Sequence, residues 1–217
     1  GHEQLCAFTD KAIGLKAFIA IHDTTLGPSL GGLRIWPYQH EEEAILDVLR
    51  LSRAMTYKSS AAGLDFGGGK AVIMASQDTK NETMMRSFGK FVEAVAGRYI
   101  TTEDVGSTPS DMEVIAEVTK HVTGLPKSAG GSGDPSEMTG YGVFQGMRSC
   151  ADEGWGTSSL SGKLIAVQGF GKVANYMVNH ILEDGGRVIV TDVNRDALKR
   201  AKSQGIEVIE DTSKIYD

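Results

Sequence analysis

The chain has 217 residues, enough for two modest domains with their own cores, and its 28 acidic against 22 basic residues leave a formal charge of -6. That balance, without a basic stripe carrying interleaved aromatics, excludes a nucleic-acid polyanion and points to a small-molecule partner. Cys6 and Cys150 lie far apart with no His or Cys at zinc spacing around them, which predicts no metal site and a reduced, cytoplasmic compartment. No apolar run approaches the roughly twenty residues of a membrane span, and no signal peptide is recognisable, so a soluble protein is expected.

In chain order, Leu15, Ala17, Ile19 and Ile21 alternate with Lys16, Phe18 and Ala20, which predicts a strand with one apolar face. Gly27-Pro28-Ser29-Leu30-Gly31-Gly32 reads as a loop. Glu41, Glu42 and Glu43 suit a helix N-terminus, and Ile45, Val48, Leu49, Ser52 and Met55 follow at helical spacing. Lys70 to Met74 reads as a buried strand, and Met84, Phe88, Phe91, Val92 and Val95 as the apolar stripe of a helix. A short strand over Tyr99 to Thr101 runs out at Glu103-Asp104. Thr108-Pro109-Ser110-Asp111 then supplies a cap, a proline at the first helical position and an acid at the third, predicting a helix to about His121.

Composition shifts at Pro126 to Pro135, which offers freedom of φ and no core residues. The expected boundary lies there, with one domain over 1–126 and another over 127–217. The second predicts a helix (Met138 to Asp152), then strand (Leu164 to Gln168), helix (Val173 to Leu182), strand (Val188 to Thr191), helix (Asp196 to Ser203) and strand (Glu207 to Ile209). Such alternation implies a parallel sheet with crossover helices, and an α/β chain overall.

The segment Lys-Ser-Ser-Ala-Ala-Gly-Leu-Asp-Phe-Gly-Gly-Gly-Lys, Lys58 to Lys70, sets two amines around a glycine run. A phosphate loop is excluded, because Leu64 stands where its first glycine belongs and Ala71 where its hydroxyl residue belongs. Two lysines in one cleft would repel each other, and partial burial would lower one pKa far enough for use as a base, while the other binds an acid. Asp104, just past a strand, is a third candidate.

Gly169-Phe170-Gly171-Lys172-Val173-Ala174 matches G-x-G-x-x-G/A after the strand at Leu164 and before a helix, with Asp192 about twenty residues on at the next strand end. Gly169 would allow the turn, Gly171 the approach of a pyrophosphate to the helix N-terminus, and Ala174 close helix packing. With Lys172, Val173 and Asp192 they form the candidate cofactor site. A carboxylate at 192 accepts bonds from both ribose hydroxyls and repels a 2′-phosphate, favouring NAD over NADP, a preference moderated by Arg195.

Four further stretches, Ile21 to Arg34 (IHDTTLGPSLGGLR), Leu49 to Lys58 (LRLSRAMTYK), Gly67 to Ile73 (GGGKAVI) and Glu103 to Gly106 (EDVG), closely resemble the Glu/Leu/Phe/Val dehydrogenases. The resemblance covers nearly the whole chain. It implies a substrate and oligomerisation domain followed by a Rossmann-type domain, a homo-oligomer, and NAD-linked interconversion of an L-amino acid with its 2-oxo acid and ammonia. By that resemblance Lys58 holds the substrate carboxylate, Lys70 is the catalytic lysine acting through a water, and Asp104 handles protons at the amino group. Gly31 brings backbone to the reacting carbon, and Thr139 contacts the nicotinamide amide. Leu30, where glutamate-specific relatives place a lysine, implies an apolar substrate side chain. Glu103 to Gly106 looks like the leucine and valine branch, whereas Asp47 to Ser52 and Leu64 to Gly67 look like the phenylalanine branch, with Thr102 larger than its leucine-type counterpart. A branched aliphatic substrate is favoured, with phenylalanine as the alternative. Relatives continue well past Asp217, so residues 127–217 are expected to hold only the first half of a nucleotide-binding sheet. The other reading is a non-catalytic binding or assembly module.

Overall fold

Strand-forming residues with one wholly apolar face build the centre of the first half of the chain. The computed structural model describes residues 1–215; Tyr216 and Asp217, at the end of the second expected domain, lie outside the described residues. The chain divides into two units, Gly1–Asp134 and Pro135–Asp217.

The first unit runs β1 (Gln4–Asp10), β2 (Leu15–Asp23), β3 (Ser29–Trp36), α1 (Glu41–Ala61), β4 (Gly67–Met74), α2 (Glu82–Ala94), β5 (Tyr99–Glu103) and α3 (Pro109–Ala116). Its sheet has the order β1-β2-β4-β3-β5. β2 is antiparallel to both β1 and β4, and β3 is parallel to both β4 and β5. One face buries Leu15, Ala17, Ile19, Ile21, Leu33, Ile35, Ala71 and Ile73 against Met84, Phe88, Val92, Met112 and Ile115 of α2 and α3. Each fully buried Leu or Ile in that layer contributes about 1.5–3 kcal/mol. The other face packs Phe18, Ala20 and Val72 against Ala44 and Val48 of α1.

Four elements differ from the sequence reading. The segment read as a loop over 27–32 enters β3 at Ser29, and β4 begins at Gly67 rather than at Lys70. Both are strands in which glycine has removed the side-chain alternation that betrays a strand. β1 gave no signal either, because its polar Gln4, Thr9 and Asp10 dilute the pattern on an edge strand. Helix α3 has the expected capping box at Thr108 with Pro109 behind it, yet ends at Ala116 instead of His121. The chain is drawn off to pair beside β5, where Thr101 N donates to His121 O at 3.0 Å and Thr123 N to Thr101 O at 2.9 Å.

The second unit runs α4 (Ser136–Trp155), β6 (Leu164–Gln168), α5 (Lys172–Glu183), β7 (Arg187–Thr191), α6 (Arg195–Ser203) and β8 (Glu207–Val208). The three strands form a parallel sheet in that order. Phe144, Val167, Phe170, Val178, Ile181, Val190 and Ala201 make its core. No helix among the described residues is long and apolar enough to cross a membrane.

Candidate active site

Strand register decides which side chains meet on the α1 face of the first sheet. Leu30 pairs with Gly68 and Leu33 with Ala71, so Gly31 and Gly32 of β3 run beside Gly69 and Lys70 of β4. Gly32 pairs on its other side with Thr102, and Lys70 on its other side with Ala20. Because partners in register share a face, Ala20, Lys70, Gly32 and Thr102 form one row, with Asp104 two residues beyond Thr102 on the same face. Gly32 is the gap in that row. A Cβ there would lie 2.6 Å from Asp104 Cβ and 2.6 Å from Glu103 O. Gly68 performs the same service under α1, where a Cβ would meet Thr56 Oγ1 at 2.1 Å and Ser52 O at 2.5 Å.

Across the gap Lys70 Nζ reaches Asp104 Oδ2 at 3.1 Å. Lys70 is only 5% exposed, so its ammonium has little water to stabilise it. Burial is the main cause of its lowered pKa; Asp104 opposes the fall, and Arg34 and Lys58 add to it. Burial pushes the Asp104 carboxyl up, but Lys70 and Arg34 outweigh it and hold the acid below its ordinary value. The backbone of Asp104 is fixed as well. Its N–H donates to Ser107 Oγ at 2.9 Å, and that hydroxyl donates to Leu33 O at 2.7 Å.

The other expected substrate residues surround this pair unequally. Leu30 and Thr102 are half-buried on the same face. Lys58 is exposed in the last turn of α1, close enough to depress the Lys70 pKa. Gly31 faces the other way: a Cβ there would lie 1.8 Å from Gly69 O, and its carbonyl accepts the buried Tyr99 hydroxyl at 2.6 Å. A cleft lined by His2, His22, Asp23, Arg53 and Tyr57 contains none of these groups.

In the second unit the turn after β6 has the shape of an anion cradle. Gly169 has φ +93°, a conformation that disfavours a side chain, and no atom lies within 4 Å of a Cβ built on Gly169 or Gly171. Packing therefore does not demand glycine there, and the space over the turn is open. Gly171 is the N-cap of α5 and contributes no side-chain cap, so the first turn of α5, with Lys172, Val173 and Ala174, follows directly on that open turn. Asp192 closes the cradle, its Oδ2 accepting from Phe170 N at 2.6 Å and its Oδ1 from Asn194 N at 2.7 Å. Beside it Asp192, Val193, Arg195, Leu198 and Lys199 line a depression. These groups fit a dinucleotide. Thr139 is exposed in α4 and gives its hydroxyl to Pro135 O at 2.8 Å.

Residues 2–121 match the family profile described as Glu/Leu/Phe/Val dehydrogenase, dimerisation domain, and residues 130–211 match that of Glutamate/Leucine/Phenylalanine/Valine dehydrogenase. The chain belongs to the Glu/Leu/Phe/Val dehydrogenase family. Among curated members of that family, leucine dehydrogenase of Geobacillus stearothermophilus is 51% identical over 216 residues, covering 99% of this chain and 59% of that protein. Valine dehydrogenase of Streptomyces virginiae is 49% identical over 215 residues, covering 98% and 60% respectively. The chain thus spans about three fifths of the length of the curated relatives it matches. The crystal structure of L-tryptophan dehydrogenase from Nostoc punctiforme aligns with TM-score 0.70 and 40% identity over all of this chain and 61% of its own. The hetero-hexameric glutamate dehydrogenase from Thermus thermophilus aligns with TM-score 0.79 at 22% identity over 97% of this chain and 57% of its own, a likeness of fold.

Within this family fold, sequence reasoning passed over a group around Asp104. Arg34 Nε donates to Asp104 Oδ2 at 3.1 Å, and its Nη1 to Asp47 Oδ2 at 2.9 Å. Tyr38 donates its hydroxyl to the same Asp47 oxygen at 2.5 Å. The available signal was a charged arginine inside a largely apolar stretch, two residues after Gly32 and so on the face of Leu30. Reading it required recognising β3 as a strand.

Proposed function

We propose that the protein containing this chain catalyses NAD-dependent, reversible oxidative deamination of an apolar L-amino acid, leucine, valine or isoleucine, to its 2-oxo acid and ammonia. The observation that carries the reading is the buried Lys70 amine, 3.1 Å from Asp104 over the Gly32 gap, with Leu30 on the same face. Lys58 holds the substrate carboxylate, the backbone at Gly31 lies against the reacting carbon, and Leu30 and Thr102 receive an apolar side chain. Gly169, Gly171, Lys172, Val173 and Ala174 hold the pyrophosphate, Asp192 selects NAD at the adenine ribose, and Thr139 meets the carboxamide. When bound, the nicotinamide supplies the chemistry of hydride acceptance. Lys70, with its pKa lowered by burial, takes a proton from the water that adds to the substrate's imine carbon, and Asp104 carries protons at the departing nitrogen. The first unit brings together copies of the chain as a homo-oligomer, in keeping with the description of the matched dimerisation domain. Cys6 and Cys150 are free thiols, consistent with the cytoplasm.

A second substrate reading, an aromatic amino acid, is favoured by the 40% identity to the L-tryptophan dehydrogenase structure. Both are tested by following NAD reduction with leucine, valine, isoleucine, phenylalanine and tryptophan in the full-length product of the gene. Leucine or valine should be turned over fastest, and Lys70→Ala should abolish turnover while NAD still binds. Full turnover in that variant would remove Lys70 from the chemistry.

A further inference from the structure

Asp104 is held through one oxygen only. Oδ2 receives both Lys70 Nζ and Arg34 Nε, each at 3.1 Å, while Oδ1 accepts no hydrogen bond from any side chain among the described residues. Arg34 cannot wander from that duty, because its Nη1 is tied to Asp47, and Asp47 is tied in turn to Tyr38. A planar guanidinium gripped at two edges is a rigid strut, unlike a single flexible ammonium. The strut spans three elements: β3 carries Arg34, the N-terminal half of α1 carries Asp47, and the segment between them carries Tyr38.

We propose that Arg34, braced by Asp47 and Tyr38, is a positioning residue that commits Oδ2 of Asp104 and so leaves Oδ1 as the oxygen that meets the substrate's amino group. The inference rests on the proposed amino-acid deamination and on the part that Asp104 plays in it. Without the strut, Asp104 pivots between Lys70 and water, and its two oxygens become equivalent. The charged and titratable groups around Asp104 are Lys70 from β4, Arg34 from β3, Lys58 and Asp47 from α1, Tyr38 from the segment before α1, and Tyr99 from β5. Of these, Arg34 is the one cation besides Lys70 bonded directly to Asp104. Removing it withdraws a positive neighbour, so ionisation of Asp104 shifts to higher pH, and the acid limb of turnover moves with it. Asp47 is tied to Arg34, so Asp47→Asn should loosen the strut and lower kcat less than Arg34→Gln does.

The test compares Arg34→Gln, Arg34→Lys and Asp47→Asn. In the 217-residue chain, ionisation of Asp104 is followed by carboxyl 13C NMR, with Asp104→Asn to assign the signal. In the full-length gene product, kcat and KM for leucine are measured against pH. Arg34→Gln should lower kcat by about tenfold to a hundredfold, the range for a misplaced reacting group, and leave KM nearly unchanged. Its acid limb and the Asp104 titration should both move to higher pH. Arg34→Lys, restoring a charge but not the fork, should recover part of kcat. An Asp104 titration unmoved in folded Arg34→Gln would overturn the proposal, as would a loss expressed in KM alone. If Arg34→Gln fails to fold, Asp47→Asn decides through kcat, and an unchanged kcat in that variant overturns the proposal. If the wild-type protein turns over no amino acid, the deamination reading fails, while the NMR titration still shows whether Arg34 governs Asp104.

Discussion

Gly32→Ala is the smallest perturbation that tests the gap between Lys70 and Asp104. The added carbon would stand 2.6 Å from Asp104 Cβ, whereas carbon atoms settle about 3.5–4.0 Å apart. Asp104 must therefore retreat by at least about 0.9 Å or β3 must move. The second contact, 2.6 Å to Glu103 O, is to strand backbone and gives little. Retreat by that amount stretches the 3.1 Å Lys70–Asp104 contact beyond hydrogen-bond range. Forcing a methyl into a filled interior costs about 1–3 kcal/mol. Urea unfolding of the chain should show that loss in the first unit. NMR titration should show the Lys70 pKa falling further, because Asp104 is the influence that holds it up against burial. Wild-type unfolding together with an unmoved Lys70 titration would refute the idea that glycine at 32 sets the distance between the two groups.

Gly146→Ala is the contrasting case. It lies within α4 with nothing within 4 Å of the new Cβ, so it should stabilise the second unit by about 0.5–1 kcal/mol, read from thermal unfolding. Asp192→Ala leaves the N–H groups of Phe170 and Asn194 without their acceptor; it should cost about 1–3 kcal/mol in the second unit and weaken NAD binding, measured by calorimetry. Stability against pH should carry two opposite signatures. Asp104 has a folded pKa below its ordinary value of 3.8, so its stabilisation is complete above that value and lost as pH falls through the folded one; Asp104→Asn should flatten this acid limb in thermal melts. Lys70 has a folded pKa below 10.5, so between the two values the unfolded chain binds more protons and stability rises with pH, a rise that Lys70→Met should remove.

The second unit was legible because its signals are local. Apolar β6, Gly169, Gly171 and the stripe of α5 follow one another within twenty residues, and the limits of β6 and α5 fall within one residue of those expected. The first unit hides its chemistry in strand pairing. β3 and the start of β4 hold Gly31, Gly32, Gly67, Gly68 and Gly69, and glycine carries no hydrophobicity for a period-2 pattern to display. The spacing of Lys58 and Lys70 suggested two amines in a cleft, with repulsion between them lowering one pKa. In the structure burial is the larger cause and Lys58 the smallest named. Burial depends on α1 lying across β4, which needs the bare surface at Gly68, and the Asp104 contact depends on Gly32 facing Thr102 across β3 and β5. Glycines in this sheet therefore act less as hinges than as missing side chains: each absent Cβ admits a neighbour, Thr56 of α1 at Gly68 and Asp104 at Gly32, and the lysine's altered acidity follows from both.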